Sequence, residues 1–256
     1  MLLYSAPPSY YSMIARLALN ESKLPFDTRY MDIHIAKDQL SPWYIAVNPS
    51  MTVPSLTDAN TTWTDSRDIL KLAATKADGA WCDADPALSQ EIEKIVCAHY
   101  NIPIEKLTFG KVMTRSYPLR KIFPMMLSRI IKHLEAEALT IPNPEAAKAK
   151  IAVNQERLAY FTEGNQIKKL DDRREEVRQY LAQLPQPQAL LFGEKMSSAD
   201  VVSAILYARL IMIGENKLMN TSPSISKWFD RMKMRPAFIK SDVWMHFKPW
   251  RILMRY

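Results

Sequence analysis

The residues that metal and disulfide chemistry require are few and scattered in this chain of 256 residues. There are two cysteines, Cys82 and Cys97, and their spacing matches no zinc or redox motif. Two thiols cannot provide a disulfide framework for a chain of this length, so we expect both to be reduced. The four histidines never show the spacing that places two ligands on one face of a helix. We therefore expect no metal.

Long apolar runs are also absent. No stretch approaches the roughly 18 apolar residues that a membrane span requires. Leu2-Leu3-Tyr4 follows Met1 directly, without the basic leader and apolar segment of a signal peptide. We therefore expect a cytoplasmic protein without a membrane partner.

Blocks of one charge sign are missing as well. The net charge is +7, but the basic residues are spread among acids, and no basic run of the kind found in nucleic-acid patches occurs. This distribution is typical of a solvated surface, so we expect no nucleic-acid partner. The apolar fraction of 48% and the charged fraction of 24% are those of an ordinary globular protein with a hydrophobic core.

The first third of the chain alternates between strand-like and helix-like patterns. β-rich runs are separated by helical periodicity and by proline or turn-forming residues. The predicted order is β-α-β-α-β-β-α, with elements at 2–5, 9–20, 26–33, 39–47, 53–56, 61–64 and 66–75. The two β-rich runs that precede the last helix are predicted to form an antiparallel hairpin, because four turn-forming residues join them. The pattern indicates a compact α/β unit.

The pattern changes after a linker at 78–86, where Gly and Pro interrupt regular structure. Beyond the linker the strands vanish and apolar residues recur at helical spacing. One such helix face comprises Leu127, Ile130, Ile131, Leu134 and Ala138. We predict two domains, 1–77 and 86–256, of which the second is all-helical.

The most apolar predicted helix, 201–213, follows Ser197-Ser198-Ala199-Asp200. Ser197 can cap the helix N-terminus, and the Asp200 carboxylate can reach back to the capping residue. This capping box has a structural role.

The turn between the first strand and the first helix, Ser5-Ala6-Pro7-Pro8-Ser9-Tyr10-Tyr11-Ser12, is here called the elbow. Ser9 or Ser12 would lie at or near the helix N-terminus, where free N–H groups and the helix dipole favour an anion. Ser9 could equally be only an N-cap, a position that serine often occupies. The residues alone leave both interpretations open.

Two further dipeptides stand at element boundaries. Val53-Pro54 stands at the start of a predicted strand. One interpretation is an ordinary structural proline at the beginning of an edge strand, and the other is a cis peptide that presents the Val53 backbone to a peptide-like ligand. Asp65-Ser66 stands at the start of a helix, which Ser66 is expected to cap. Ser66 could then offer donors to a carboxylate, and Asp65 could hold an ammonium group. An ordinary capping pair is the alternative interpretation.

Taken in order, these features resemble the glutathione transferase superfamily over nearly the whole chain. The elbow is followed by N-P-x-x-x-V-P at 48–54, by Asp65-Ser66 and by helices that include an S-x-A-D box. The N-terminal stretch is most similar to bacterial beta-etherase-type members and to theta- or omega-like members. Two residues depart from the family pattern, since Met51 replaces the usual Gly and Asp65 replaces the usual Glu or Gln.

The resemblance implies a thioredoxin-like α/β domain that binds glutathione, followed by an all-α domain. We therefore predict that Val53-Pro54 is a cis peptide, and the Val53 backbone would pair with the cysteinyl part of the tripeptide. Asp65 and Ser66 would bind the γ-glutamyl part, and Gln39 or Lys37 would meet the glycyl carboxylate.

The activity that the resemblance implies is attack of the glutathione thiolate on a small hydrophobic electrophile, by conjugation or by glutathione-dependent ether cleavage. A hydroxyl of the elbow would stabilise the thiolate, with Ser9 as the first candidate, Ser12 as the second and Tyr11 as the third. The elbow contains no cysteine, so the thiol-transfer chemistry of the Cys-type classes is not expected. The alternative function is a glutathione-transferase-like binding or assembly module without turnover.

The resemblance also implies a homodimer related by a two-fold axis. The electrophile would sit between the two domains, where Met113, Tyr117 and Phe123 are candidates for lining its pocket. The alternative for these three residues is a place in the ordinary core.

Overall fold

The computed structural model describes residues 1–137, 143–219 and 222–254. Ala138, which we predicted on a helix face, and residues 255–256 of the predicted second domain lie outside them. Contacts divide the chain into two compact units, the first formed by 1–37, 53–102 and 177–256 and the second by 38–52 and 103–176. The predicted domains divide the chain by element type instead, and that division stays a prediction.

A small mixed sheet lies in the first unit. Its strands are β1 (Leu2–Ser5), β2 (Asp27–Tyr30), β3 (Ser55–Thr57) and β4 (Thr62–Trp63), in the order β2-β1-β3-β4. Strand β1 pairs in parallel with β2 and antiparallel with β3, and β3 forms the predicted hairpin with β4. In the described parts of the chain, every strand precedes residue 64.

Helices make up most of the remaining regular structure. They are α1 (Tyr10–Glu21), α2 (Pro42–Ile45), α3 (Ser66–Lys76), α4 (Ser89–Tyr100), α5 (Ile104–Arg115), α6 (Tyr117–Glu137), α7 (Pro144–Thr162), α8 (Gln166–Ala182), α9 (Ser198–Ile213), α10 (Pro223–Met234), α11 (Pro236–Lys240) and α12 (Pro249–Leu253). Short 3-10 helices cover Asp38–Leu40 and Asn216–Met219. The predicted class, an α/β thioredoxin-like part followed by an all-α part, is confirmed.

Three predicted elements are wrong in their bounds, and proline explains two of them. The helix predicted at 39–47 is split, because Pro42 disfavours a helical conformation at Ser41 and starts α2 at its own position. Strand β3 begins after Pro54, which has no N–H to donate to a ladder. Strand β2 is shorter than predicted because its partner β1 is only four residues long.

The core of the first unit lies between the sheet, α1 and α3, where Leu3, Ala15, Leu19, Leu56 and Ile69 pack together. Helix α9 is buried along nearly its whole length. The predicted capping box at its start is confirmed, since Ser197 and Asp200 cap each other. The Asp200 carboxylate also accepts from Leu191 N and Trp228 Nε1, and burial raises its pKa to about 6.

The second unit contains the loop that precedes Val53. Met51 has a φ of +54°, in the left-handed region, which explains why the family pattern has Gly there. Its side chain is buried against Leu40, Ile45, Leu134 and Ala147. The Lys150 Nζ donates to the carbonyls of Ser50 and Met51 at 3.1 Å each. The loop therefore keeps the conformation expected of glycine, with methionine packed in its place.

Candidate active site

The elbow forms a tight turn that ends on a helix N-terminus where Ser9 and Tyr11 are partly exposed. Ser9 N donates to Ala6 O at 3.0 Å, and Ser9 caps α1, its Oγ accepting from Ser12 N at 3.4 Å. The first turn of α1 contains no acidic residue that would offset the positive end of its dipole. A serine that accepts a hydrogen bond still has its own proton to donate. Ser9 can therefore act both as the N-cap and as a donor to an anion.

The two other candidate hydroxyls of the elbow lie in different environments. Ser12 is 0% exposed, and its Oγ accepts from Ala6 N at 3.3 Å, so it braces the turn from inside. Tyr11 is partly exposed, and its ring stacks on Tyr100 at a centroid distance of 6.1 Å. Of the three predicted hydroxyls, those of Ser9 and Tyr11 belong to residues that reach the surface.

A second helix N-terminus carries the predicted acidic–serine pair. Asp65 is exposed and caps α3 by accepting from Arg67 N at 2.7 Å. Ser66 is 4% exposed, and its Oγ lies 3.0 Å from the Tyr100 hydroxyl. Burial raises the pKa of Tyr100, so this hydroxyl stays protonated at neutral pH. Tyr100 thus contacts both the elbow, through Tyr11, and the start of α3.

The Val53-Pro54 peptide is cis, as predicted. Val53 is partly exposed and Pro54 is buried, immediately before β3. The first unit therefore contains Val53, the elbow and the start of α3. The N-termini of α1 and α3 thus lie in the same unit, and the backbone N–H groups of a helix N-terminus favour an anion.

Gln39 lies in the second unit, in the 3-10 helix Asp38–Leu40. Its proposed contact with the glycyl carboxylate stays a prediction. The three candidate pocket residues also belong to the second unit, where Met113 is 3% exposed and Phe123 stacks on Phe109 with ring centroids 4.2 Å apart. Tyr117 is 66% exposed. Met113 and Phe123 therefore fit the alternative interpretation as core residues.

Sequence reasoning missed two buried arginines that hold the carbonyls of the elbow. Arg16 donates to Ala6 O at 3.3 Å and to Pro7 O at 3.0 Å. Arg209 donates to Pro8 O at 2.9 Å. Two guanidinium groups thus hold the three successive carbonyls of Ala6, Pro7 and Pro8 in place. The one signal for Arg209 in the sequence was its place as a charged residue within the most apolar helix.

The Tyr10 side chain and its neighbour His99 are uncharged at neutral pH. The Tyr10 hydroxyl lies 3.1 Å from His99 Nε2, and the two rings stack. Burial lowers the pKa of His99 to about 3, so the imidazole is neutral at physiological pH. Burial also raises the pKa of Tyr10 well above its ordinary value. The interior behind the elbow is therefore polar but carries no negative charge from these two side chains.

In residues 1–137, 143–219 and 222–254, no group of three or more His, Cys, Asp or Glu side chains could hold a metal ion. The helices in these same ranges include none with the length and apolar character that crossing a membrane requires.

Comparison with known proteins gives the chain a family. Residues 3–81 match the family described as "Glutathione S-transferase, N-terminal domain", and residues 141–236 match "Glutathione S-transferase, C-terminal domain". A relative in Sphingobium chlorophenolicum, a tetrachloro-p-hydroquinone reductive dehalogenase, is 25% identical, and the match covers 96% of this chain and 97% of the relative.

Solved structures agree on the fold. The beta-etherase LigF from Sphingobium sp. strain SYK-6 superimposes with a TM-score of 0.70 at 20% identity, covering 94% of this chain and 97% of that one. A glutathione transferase family member from Pseudomonas fluorescens pf-5, with two glutathione molecules bound, has a TM-score of 0.65 at 15% identity, covering 94% and 92%. With both family domains matched in order and the elbow, cis-proline and Asp65-Ser66 in place, the chain belongs to the glutathione transferase superfamily.

Proposed function

We propose that this chain is a glutathione-dependent enzyme whose bound glutathione thiolate attacks a small hydrophobic electrophile. The observation that carries the proposal is the pairing of two helix N-termini in one compact unit. One is the elbow with Ser9, and the other is the start of α3 with Asp65 and Ser66. Each favours one of the anionic groups that glutathione presents.

The tripeptide would be held by groups that take no part in the chemistry. Ser66 would donate to the γ-glutamyl carboxylate, and the exposed Asp65 carboxylate would pair with the neighbouring ammonium group. The Val53 backbone would pair with the cysteinyl residue. These contacts would fix the cysteinyl thiol beside Ser9.

The chemical task is to ionise that thiol. Lowering a thiol pKa from about 8.5 to about 6.5 requires roughly 2.7 kcal/mol. A hydrogen bond from a hydroxyl to an anion supplies about 1.5–3 kcal/mol, and a helix N-terminus adds about 0.3–1 kcal/mol. One hydroxyl at the start of α1 is therefore sufficient, and we assign this role to Ser9.

The reaction would be a substitution or an addition at carbon. In a substitution, the thiol proton leaves to solvent, the thiolate sulfur forms a bond to carbon, and the leaving group departs with the bonding electron pair. A halide would leave as such, and the alkoxide or aryloxide of an ether would take up a proton. The two Sphingobium relatives are named for dehalogenation and for ether cleavage, which supports an electrophile that bears such a leaving group.

A glutathione-affinity column followed by a turnover assay tests the proposal. We expect retention on the column, elution by free glutathione and turnover of a generic aryl halide. Retention without turnover of aryl halides or aryl ethers would favour the alternative, a binding or assembly module. Absence of retention and turnover would contradict both.

A homodimer and a cytoplasmic location remain parts of this proposal. We propose the dimer because members of the family are usually dimers, and the cytoplasmic location because of the sequence features described above. Light scattering of the purified protein tests the first, and fractionation of the source cells tests the second.

A further inference from the structure

Arg209 is a buried cation without a carboxylate partner. It is 6% exposed within α9, its Nη2 donates to Pro8 O at 2.9 Å, and its Nε has no hydrogen-bond partner. Its Cζ lies 5.4 Å from the centre of the Tyr10 ring. Across the three described ranges of the chain, no carboxylate pairs with this guanidinium. An unpaired buried charge is costly, so its retention calls for an explanation.

Arg16 is a second buried arginine, and its hydrogen bonds show that its role is to hold backbone carbonyls. It donates to the carbonyls of Pro7, Ser241 and Asp242 and to the Ser5 hydroxyl, the last at 2.6 Å. The Asp242 carboxylate also offsets its charge. Arg209 makes one such bond and has no such counter-charge. The single hydrogen bond to the Pro8 carbonyl therefore does not explain why the charged Arg209 side chain is buried here.

The groups that surround Arg209 do not neutralise it. Tyr10 and Tyr11 approach it from α1, and His99 and Tyr180 extend the cluster from α4 and α8. Burial raises the pKa values of Tyr10 and Tyr180 and lowers that of His99 to about 3, so these three groups are uncharged at neutral pH. The first turn of α1 contains no acid. The positive charge behind the elbow is therefore not cancelled by its neighbours.

We propose that Arg209 is a positioning residue: it holds the Pro8 carbonyl of the elbow, and its unpaired charge stabilises the thiolate of glutathione bound beside Ser9. This inference rests on the proposed function. In an effective dielectric of about 20, a unit charge on the order of 10 Å from any thiol favours its ionisation by about tenfold. The electrostatic contribution of Arg209 would thus add to that of the Ser9 hydroxyl.

The test compares Arg209→Met with Arg209→Lys. Methionine fills much of the volume without charge, whereas lysine keeps the charge and changes the bond to Pro8. Ultraviolet absorbance of the thiolate, followed against pH, gives the thiol pKa of bound glutathione in each variant. Calorimetric titration with S-methylglutathione, which cannot form a thiolate, reports separately on the shape of the site.

We expect Arg209→Met to raise the thiol pKa of bound glutathione by about one unit and Arg209→Lys to leave it nearly unchanged. In Arg209→Met, the loss of affinity for S-methylglutathione, which reports the lost bond to Pro8, should be smaller than the loss of affinity for glutathione. An unchanged thiol pKa in Arg209→Met overturns this inference but not the proposed function. An equal loss of affinity for glutathione and S-methylglutathione also overturns it, because Arg209 would then only hold the Pro8 carbonyl in place.

Arg209→Gln takes the place of the methionine variant if that variant does not fold, with the same expected shift. A parent protein that binds no glutathione would overturn the proposed function, and the inference about Arg209 with it.

Discussion

The Tyr100 hydroxyl lies 3.0 Å from the Ser66 Oγ and so connects the end of α4 to the first residue of α3. The same ring stacks on Tyr11 of the elbow. If Tyr100 donates to Ser66, the Ser66 proton is left for a ligand carboxylate. A residue far along the chain thereby orients a donor of the proposed glutathione site.

Tyr100→Phe should weaken glutathione binding by about five- to tenfold, because Ser66 loses the group that orients its hydroxyl. The phenylalanine ring keeps the stacking on Tyr11, so folding should be preserved. Calorimetric titration measures the affinity. Tyr117→Phe, at a residue that is 66% exposed, is the matched control and should bind like the parent. Equal affinities for both variants would contradict the role of Tyr100.

Ser9→Ala should raise the thiol pKa of bound glutathione by about one to two units, since it removes a charged hydrogen bond worth about 1.5–3 kcal/mol. Turnover at neutral pH should fall by about tenfold or more, and part of it should return as pH rises. A pH–rate profile with a generic electrophile measures both effects.

Ser12→Ala is the comparison for that experiment. Because the Ser12 Oγ is buried and accepts from Ala6 N, its loss should lower the free energy of unfolding by about 1–2 kcal/mol and leave the thiol pKa unchanged. A shifted thiol pKa in Ser12→Ala beside an unshifted one in Ser9→Ala would transfer the role to Ser12. If neither shifts, Tyr11 becomes the candidate.

Met51→Gly should destabilise the protein although glycine is the usual residue of the family. Glycine relieves the strain of a φ of +54°, a gain of about 1 kcal/mol, but it removes a side chain that is 1% exposed. Loss of such a side chain costs about 2–5 kcal/mol. Chemical denaturation measures the difference, with Lys37→Gly, at another left-handed residue that is not fully buried, as the control. A more stable Met51→Gly would contradict this balance.

His99 should make stability depend on pH. Burial holds its pKa at about 3 in the folded protein against an ordinary value near 6.5, so only the unfolded chain takes up this proton between those limits. The stabilisation from neutral His99 is thus complete above about pH 6.5 and is lost as pH falls towards 3. The stability difference between the parent and His99→Gln should narrow by about 1.4 kcal/mol for each pH unit from 6 to 4.

Denaturant unfolding of the parent and His99→Gln at several pH values measures this difference in the free energy of unfolding. Asp200 has an opposite effect on the pH dependence of stability, but it is present in both proteins, so its effect cancels in the difference. Burial raises the Asp200 pKa to about 6, so its contribution grows on acidification. A pH-independent stability difference between the parent and His99→Gln would show that His99 takes up its proton as readily in the folded protein as in the unfolded chain.

The features that the sequence predicted well are those encoded by neighbouring residues. The cis-proline, the N-cap at Ser9 and the capping box of α9 each depend on a few adjacent side chains and their backbone. The predicted cap of α3 is wrong by one residue, since Asp65 is the N-cap and Ser66 is the first residue of the helix. The predicted helix 39–47 is wrong at Pro42, because the apolar pattern runs on through this residue whereas the proline ring disfavours a helical conformation at Ser41.

The parts that escaped prediction depend on residues distant in sequence. Arg209 is 201 positions from the carbonyl that it holds, and Tyr100 is 34 positions from Ser66. No periodicity or spacing in the sequence identifies such a pair. Only packing shows that a charged residue in an apolar helix faces the elbow.

The strand order leaves β2 with one neighbour, β1, so its other side is an edge of the described sheet. Edge strands can pair with strands of other chains and start aggregation, and charged side chains are a common defence. Strand β2 has the sequence Asp-Thr-Arg-Tyr, and its Asp27 and Arg29 side chains are exposed. The alternation that identified this segment as a strand thus also places Asp27 and Arg29 on an edge strand. A second chain that paired with this edge would have to desolvate both charges, so we expect them to oppose aggregation at high protein concentration.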